Sequence, residues 1–326
     1  MKTRHWLLGV VLGLNPIVLL HGQHEHHDPS QPKAAQVSLE VADDKAGQTL
    51  TARLGPLNLP AHSDHRTVAQ PANQYLTIPF DGWLVAYHPR LSDAAGTTLP
   101  GRMLHHVAFW NVNRPDFLCP NKEEHVFGAG GEMNDWPVVP GFGYRVRRGD
   151  RIRISSMFHN PTGVSYPQVF LEVRIEYRPA GTPMKSIYPA WFDVTQCGDS
   201  DYDLKPGHSV TSATFKMDYS GILLGVGGHM HDYGRAMMLE SVTRQSTIAT
   251  LEARTDEQGR LLSMPIANFA GQGGVPLGKG EEIKVTATYD NVSGHAIPQG
   301  AMGMVVGYFL PASDEQLSQL HREPHP

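Results

Sequence analysis

The stretch GGHMHDYG, residues 227 to 234, sets His229 and His231 one residue apart among glycines. Side chains alternate along a strand, so the two imidazoles face one side and can share an ion without distortion. A second stretch, MLHHVAFW, carries the adjacent pair His105 and His106, and FHNPTG carries His159 at the end of an alternating run. Neighbours on a flat strand face opposite ways, so His105 and His106 can share an ion only at a bulge or a strand end. Downstream of the His229 and His231 pair the candidates for a third donor are His295, Met302 and Met304. A thioether beside two imidazoles favours Cu(I), because soft ligands select soft ions. Copper is then the expected metal, although two imidazoles alone fit zinc as readily, and a methionine in an apolar strand is ordinarily core packing.

These side chains need strands to hold them. From about residue 37 the chain is a series of short β-prone runs divided by Gly, Pro, Asn and Asp. Examples are QYLTIPF, MLHHVAFWNV, DRIRISSMFH and QVFLEVRIEY, followed later by SATFKM, IKVTATY and MGMVVGYF. RIRIS and EVRIEY alternate polar and apolar positions, the mark of a half-buried strand. The 33 glycines and 25 prolines supply turns for many short strands. An all-β protein of two β-sandwich domains follows, with a break near residues 180 to 205, where EYRPAGTPMKS interrupts the strand pattern and KPG opens a new one. The expected domains are 37–188 and 189–312, followed by a tail over 313–326.

Lys2 and Arg4 precede a mostly apolar stretch from Trp6 to Leu20. It is shorter than the roughly 20 residues of a spanning helix and reads as a signal peptide over 1–22, cleaved near Gly22. Residues 23–36 read as a histidine-rich linker. Stable membrane insertion is not expected; a secreted or periplasmic location is. Export would allow Cys119 and Cys197, the chain's 2 cysteines, to form a disulfide bond. The formal charge of −5 argues against nucleic acid as a partner. Among cofactor motifs, a GxGxxG after a strand, a P-loop and a nucleophile elbow are all missing.

The order HH, then a strand-end H, then HxH, then M resembles the copper type II, ascorbate-dependent monooxygenases, the family of peptidylglycine α-hydroxylating monooxygenase and dopamine β-monooxygenase. The resemblance runs over about residues 70 to 312. It implies tandem jelly-roll-type sandwiches with two mononuclear copper sites, one at His105, His106 and His159 and the other at His229, His231 and Met302. The second, as the catalytic site, would direct O2 at a C–H bond of a small-molecule substrate, and the first would store an electron, with ascorbate or a similar reductant reloading both. Met302 is chosen because the family methionine opens a strand ending in aromatics, as MGMVVGYF does; Met304 shares its face.

The chain departs from the family pattern in places. Gly300 and Ala301 stand where an acidic pair usually precedes the methionine, and Gly227 stands where the peptide-processing enzyme carries a basic residue that holds a substrate carboxylate. A peptidylglycine substrate is therefore not expected. Asp232 and Tyr233 are read as turn residues. The rival functional class is an exported copper carrier or sensor using the same donors without turning over oxygen.

Overall fold

The computed structural model describes residues 33–132 and 138–313 together with Leu317. The expected signal peptide, most of the linker and nearly all of the tail lie outside the described residues. Among the described residues no helix is long and apolar enough to cross a membrane.

The structure is a set of antiparallel sheets packed as β-sandwiches of jelly-roll type. One sheet has the order β1 (Ser38–Asp44), β2 (Thr49–Leu59), β9 (Tyr166–Pro179), β4 (Gly82–Ser92), β7 (Phe142–Val146) and β10 (Lys185–Ser186), the last joined in parallel. A second runs β3 (Gln74–Thr77), β8 (Arg151–Phe158), β5 (Leu104–Pro115) and β6 (Glu123–Gly130). A third runs β11 (Tyr188–Asp193), β22 (Ile297–Pro311), β14 (Gly221–Met230) and β19 (Ile266–Asn268), with β12 (Asp201–Leu204) on β22 and β20 (Val275–Leu277) on β14. The fourth runs β13 (Gly207–Lys216), β21 (Glu282–Asn291), β15 (Gly234–Ser241) and β16 (Ser246–Glu252), and β17 (Arg254–Thr255) pairs with β18 (Leu261–Ser263) as a small ribbon.

Alternation explains the layering. Along β9, Val169, Leu171, Val173, Ile175 and Tyr177 are buried, while Phe170, Glu172, Arg174 and Glu176 between them face the other side. The buried set meets Val107 and Phe109 of β5 and Ile152 and Ile154 of β8 in one apolar core. A second core joins Phe215, Leu239 and Val285 of the fourth sheet to Val226, Val305 and Phe309 of the third. Each fully buried aliphatic or aromatic side chain contributes about 1.5–3 kcal/mol relative to exposure.

The opposite faces of the second and third sheets meet each other. There Trp191, Met302 and Met304 pack with Ala108 and Val306. Two glycines of β6 permit the approach: a Cβ at Gly128 would lie 2.4 Å from the Trp191 ring, and one at Gly130 would lie 2.3 Å from the His229 ring. At the far end of β5 a buried polar network holds the strand, with Arg114 2.7 Å from Asp150 and Asn111 donating to the Tyr144 hydroxyl at 3.1 Å.

Cys119 and Cys197, 78 positions apart in sequence, are bonded as a disulfide with Cα atoms 5.7 Å apart. The bridge fixes the loop after β5 to the loop after β11. Replacing both cysteines by serine is expected to cost about 2–4 kcal/mol, since the open chain regains loop entropy. Urea unfolding of the double variant against the wild type measures it, and an unchanged midpoint would contradict this role.

Candidate metal centre

β5 opens directly after a short 3-10 turn, Gly101–Met103, and its register against β8 shifts between Leu104 and His106. The adjacent histidines therefore meet the geometric condition set by their spacing. The Nδ1 atoms of His105 and His106 stand 3.1 Å apart. Two nitrogens bound at about 2 Å to one tetrahedral ion would be separated by about 3.3 Å. The rings then diverge into two cavities. His105 lines one of about 260 Å3 with His65, His159 and His231, and His106 lines another of about 430 Å3 with His229, Met302 and Met304.

His159 follows β8, and its ring centroid lies 5.2 Å from that of His105. Its Nε2 is 2.6 Å from the carbonyl oxygen of Arg102, which can only accept, so Nε2 carries the proton and Nδ1 is left as the free donor atom. Across the interface, Val226 and Met230 of β14 point into the second core, so His229 shares the other face with His231. His229 pairs with Met304 of β22 in the ladder, and Met302 pairs with Asp201 of β12. The His229 Nδ1 atom donates to the Glu132 carboxylate at 3.0 Å, fixing the tautomer that leaves Nε2 free.

The two histidine groups adjoin. The His105 and His231 ring centroids are 4.1 Å apart, and ligand atoms of His105, His106 and His231 all fall within 4.8 Å of one another. Both nitrogens of His231 and Nε2 of His229 are buried with no hydrogen-bond partner. Buried polar atoms in native proteins are almost always satisfied, so these three point to a ligand.

Burial drives most of the cluster toward the neutral form that binds metal. Desolvation pulls His106 down to about 3, and takes His105, His231, His159 and His65 below the ordinary imidazole value, with neighbouring rings adding to the effect at His105 and His231. His229 goes the other way: its desolvation is outweighed by the Glu132 carboxylate and by Asp201, and it is raised. Asp201 itself is pushed up to about 6 by burial.

No family model matches the chain. It is similar to two proteins named as probable copper-dependent oxygenases. One, clz3 of Cochliobolus lunatus, is 25% identical over 236 residues, 64% of this chain and 72% of that protein. The other, M1 of a Phoma species, is 25% identical over 237 residues, again 64% of this chain but 58% of the relative's own length. Among solved structures, PNGase F from Flavobacterium meningosepticum overlays with a TM-score of 0.42 at 9% identity, covering 81% of this chain and 96% of that one. The major capsid protein P2 of bacteriophage PM2 overlays at 0.35 and 11% identity, with 80% and 98% covered. Neither overlay carries a functional argument.

Three groups at the centre have no sequence pattern that announces them. His65 sits in a loop, 8% exposed, its ring 4.7 Å from His105. Glu132 lies beyond the end of β6. Tyr289 of β21 reaches through the second sandwich: its hydroxyl accepts from the backbone N–H of His231 at 3.0 Å and of Met302 at 3.1 Å and donates to the Met302 carbonyl. One phenol thus ties the HxH segment to the methionine strand. His295, by contrast, is exposed on a turn with Nδ1 3.1 Å from the Ser293 carbonyl. Asp232 accepts from the Leu261 backbone at 2.8 Å, and Tyr233 sits at φ 69°, both turn roles as expected.

The lowered histidines fix a pH dependence for the metal-free protein. Each has a folded value below its unfolded one, so the unfolded chain binds more protons and stability falls as pH drops through about 6.5 toward the folded values. The limiting slope is about 1.4 kcal/mol per pH unit for each such histidine. His229, being raised, works in the opposite sense: its contribution is complete below about 6.5 and is lost as pH rises through its folded value. Thermal melts of the metal-free protein should show a lower Tm at pH 5.5 than at pH 7.5; equal values would contradict buried neutral rings. Gly130→Ala is expected to displace His229 and to cost about 1–3 kcal/mol by overpacking, measured by denaturant unfolding.

Proposed function

We propose that the protein is a copper-dependent oxygenase that hydroxylates a C–H bond of a small molecule using O2 and a reductant such as ascorbate. The observation that carries this reading is the set of orphaned nitrogens on His231 and His229, the latter lining a cavity with Met302 and Met304, in a chain similar to proteins named as copper-dependent oxygenases. The donor set fits copper: imidazoles suit it in general, and a thioether favours the reduced ion.

His105, His106 and His159 would hold one copper, and His229, His231 and Met302 the other. Bound there, copper supplies the one-electron redox chemistry toward O2 that no protein side chain offers. The chain's own groups supply the rest. The Arg102 carbonyl and the Glu132 carboxylate hold the tautomers of His159 and His229, and Tyr289 sets the distance between His231 and Met302. The larger cavity is walled by Trp110, Trp191, Met302, Met304 and Val306, with Asp199, Ser200 and Asp201 at its polar side. Such a site would hold the apolar body of a substrate against its aromatic and thioether walls and orient it from the polar side. The disulfide is in keeping with an exported protein, secreted or periplasmic.

A second reading rests on the close approach of His105, His106 and His231: one ion held by those three rings. Stoichiometry separates the two. Reconstituted wild type is expected to take up about two coppers per chain, with about one in His106→Ala and about one in Met302→Ala. About one in the wild type favours the single ion. Copper-loaded protein with ascorbate should consume O2 above the rate of free copper, and Met302→Ala should lose most of that excess. Copper that binds fully yet leaves O2 uptake at background would make the protein a carrier.

A further inference from the structure

The loop bearing His65 is built into the histidine cluster rather than resting beside it. His62 N–H donates to the Thr162 carbonyl at 2.9 Å, and Ser63 exchanges backbone hydrogen bonds with Asn160 at 2.9 and 2.8 Å. These bonds zip residues 62 and 63 to the segment that follows His159. Gln70 then clamps the next stretch. Its Nε2 donates to the His65 carbonyl and to the Phe158 carbonyl, both at 2.7 Å, while its Oε1 accepts from the Phe158 N–H at 2.8 Å. One amide therefore fixes the backbone of His65 to the residue just before His159.

The ring itself lies within the cluster, its centroid 4.7 Å from that of His105. The Asp64 carboxylate lies 3.6 Å from His65 Nδ1, within ion-pair range but beyond hydrogen-bond reach. The centroid of His105 lies 4.7 Å from His65, 5.2 Å from His159 and 4.1 Å from His231, so His105 stands at the middle of four imidazoles that line one cavity. A histidine on a mobile surface loop would have none of this support. Ligand geometry held by surrounding hydrogen bonds is the arrangement a metal site requires.

We propose that His65 is a metal ligand, joining His105 and His159 on the same ion, and that Gln70 is the positioning residue that holds it there. The assignment rests on the copper reading above and adds to it a donor outside the HH, H, HxH and M pattern. It gives the first site a fourth imidazole beside those of His105, His106 and His159.

The test uses the full chain loaded with Cu(II), read by electron paramagnetic resonance and by competition with a chelator of known affinity. His65→Ala is expected to weaken one copper at least tenfold and to change its nitrogen hyperfine pattern, whereas His208→Ala, an exposed control, changes neither. Gln70→Ala leaves every imidazole in the chain and frees only the loop, so it guards against misfolding of the first variant. It should weaken the same copper by less. Spectra and affinities of both variants that match the wild type would overturn the proposal and leave the oxygenase reading standing. A wild type that binds no copper would overturn both.

Discussion

A buried imidazole nitrogen without a hydrogen-bond partner costs about 1–3 kcal/mol, and the ring of His231 carries two of them. The rest of the centre is arranged around that unmet demand. Nearby rings are each satisfied on one nitrogen only: His159 through the Arg102 carbonyl, His229 through Glu132. Ligand atoms of His105, His106 and His231 lie within 4.8 Å of one another, with His159 lining one adjoining cavity and His229 the other. A protein could relieve such a cost by letting the rings swing out to solvent. Here Tyr289 holds the backbone of His231, Gln70 holds that of His65, and glycines at 128 and 130 let the sheets close over them.

The convergence depends on strand parity. In β5 the odd positions Val107 and Phe109 enter the first core, which turns His106 and Ala108 outward toward the neighbouring sandwich. In β22 the odd positions Val305 and Phe309 enter the second core, turning Met302 and Met304 back toward the first. Two sheets, each amphipathic in the ordinary way, thus present their chemically distinctive faces to one another. A one-residue slip in either register would send the histidines or the thioethers into an apolar core.

Periodicity and local chemistry made much of this legible in the sequence. The alternation of EVRIEY and RIRIS gave strands where β9 and β8 lie, and the HxH spacing gave two rings on one face. The demand that a bulge or strand end reconcile His105 with His106 is met by the register shift at the start of β5. What stayed hidden depends on long-range contact. His65 has no partner at a telling spacing, because its neighbours His105 and His159 are brought to it by a loop zipped across tertiary structure. Tyr289 sits in an ordinary strand and acts through its hydroxyl at the opposite end of the ring. Glu132 is an unremarkable acid until Gly130 lets His229 come within reach. Nor did spacing reveal that the two histidine groups would adjoin, since that follows from how closely the facing sheets pack.

That packing leaves the two sides of the centre chemically unequal. Around His105 the cavity gathers the imidazoles of His65, His159 and His231, with Asp64, Asp232, Arg102 and Met230 also in its lining. Around His229 the ladder brings a thioether directly opposite, and two carboxyl groups, Glu132 and Asp201, stand close enough to raise that imidazole's proton affinity. Nitrogen donors suit copper across its oxidation states, whereas thioethers select the reduced ion. On the proposed copper reading, an ion held on the thioether side would favour the reduced state. The larger cavity, with its tryptophan and methionine walls, opens on the thioether side. The proposed function places the substrate in that cavity, whose lining follows from the order of outward-facing residues in β5, β14 and β22.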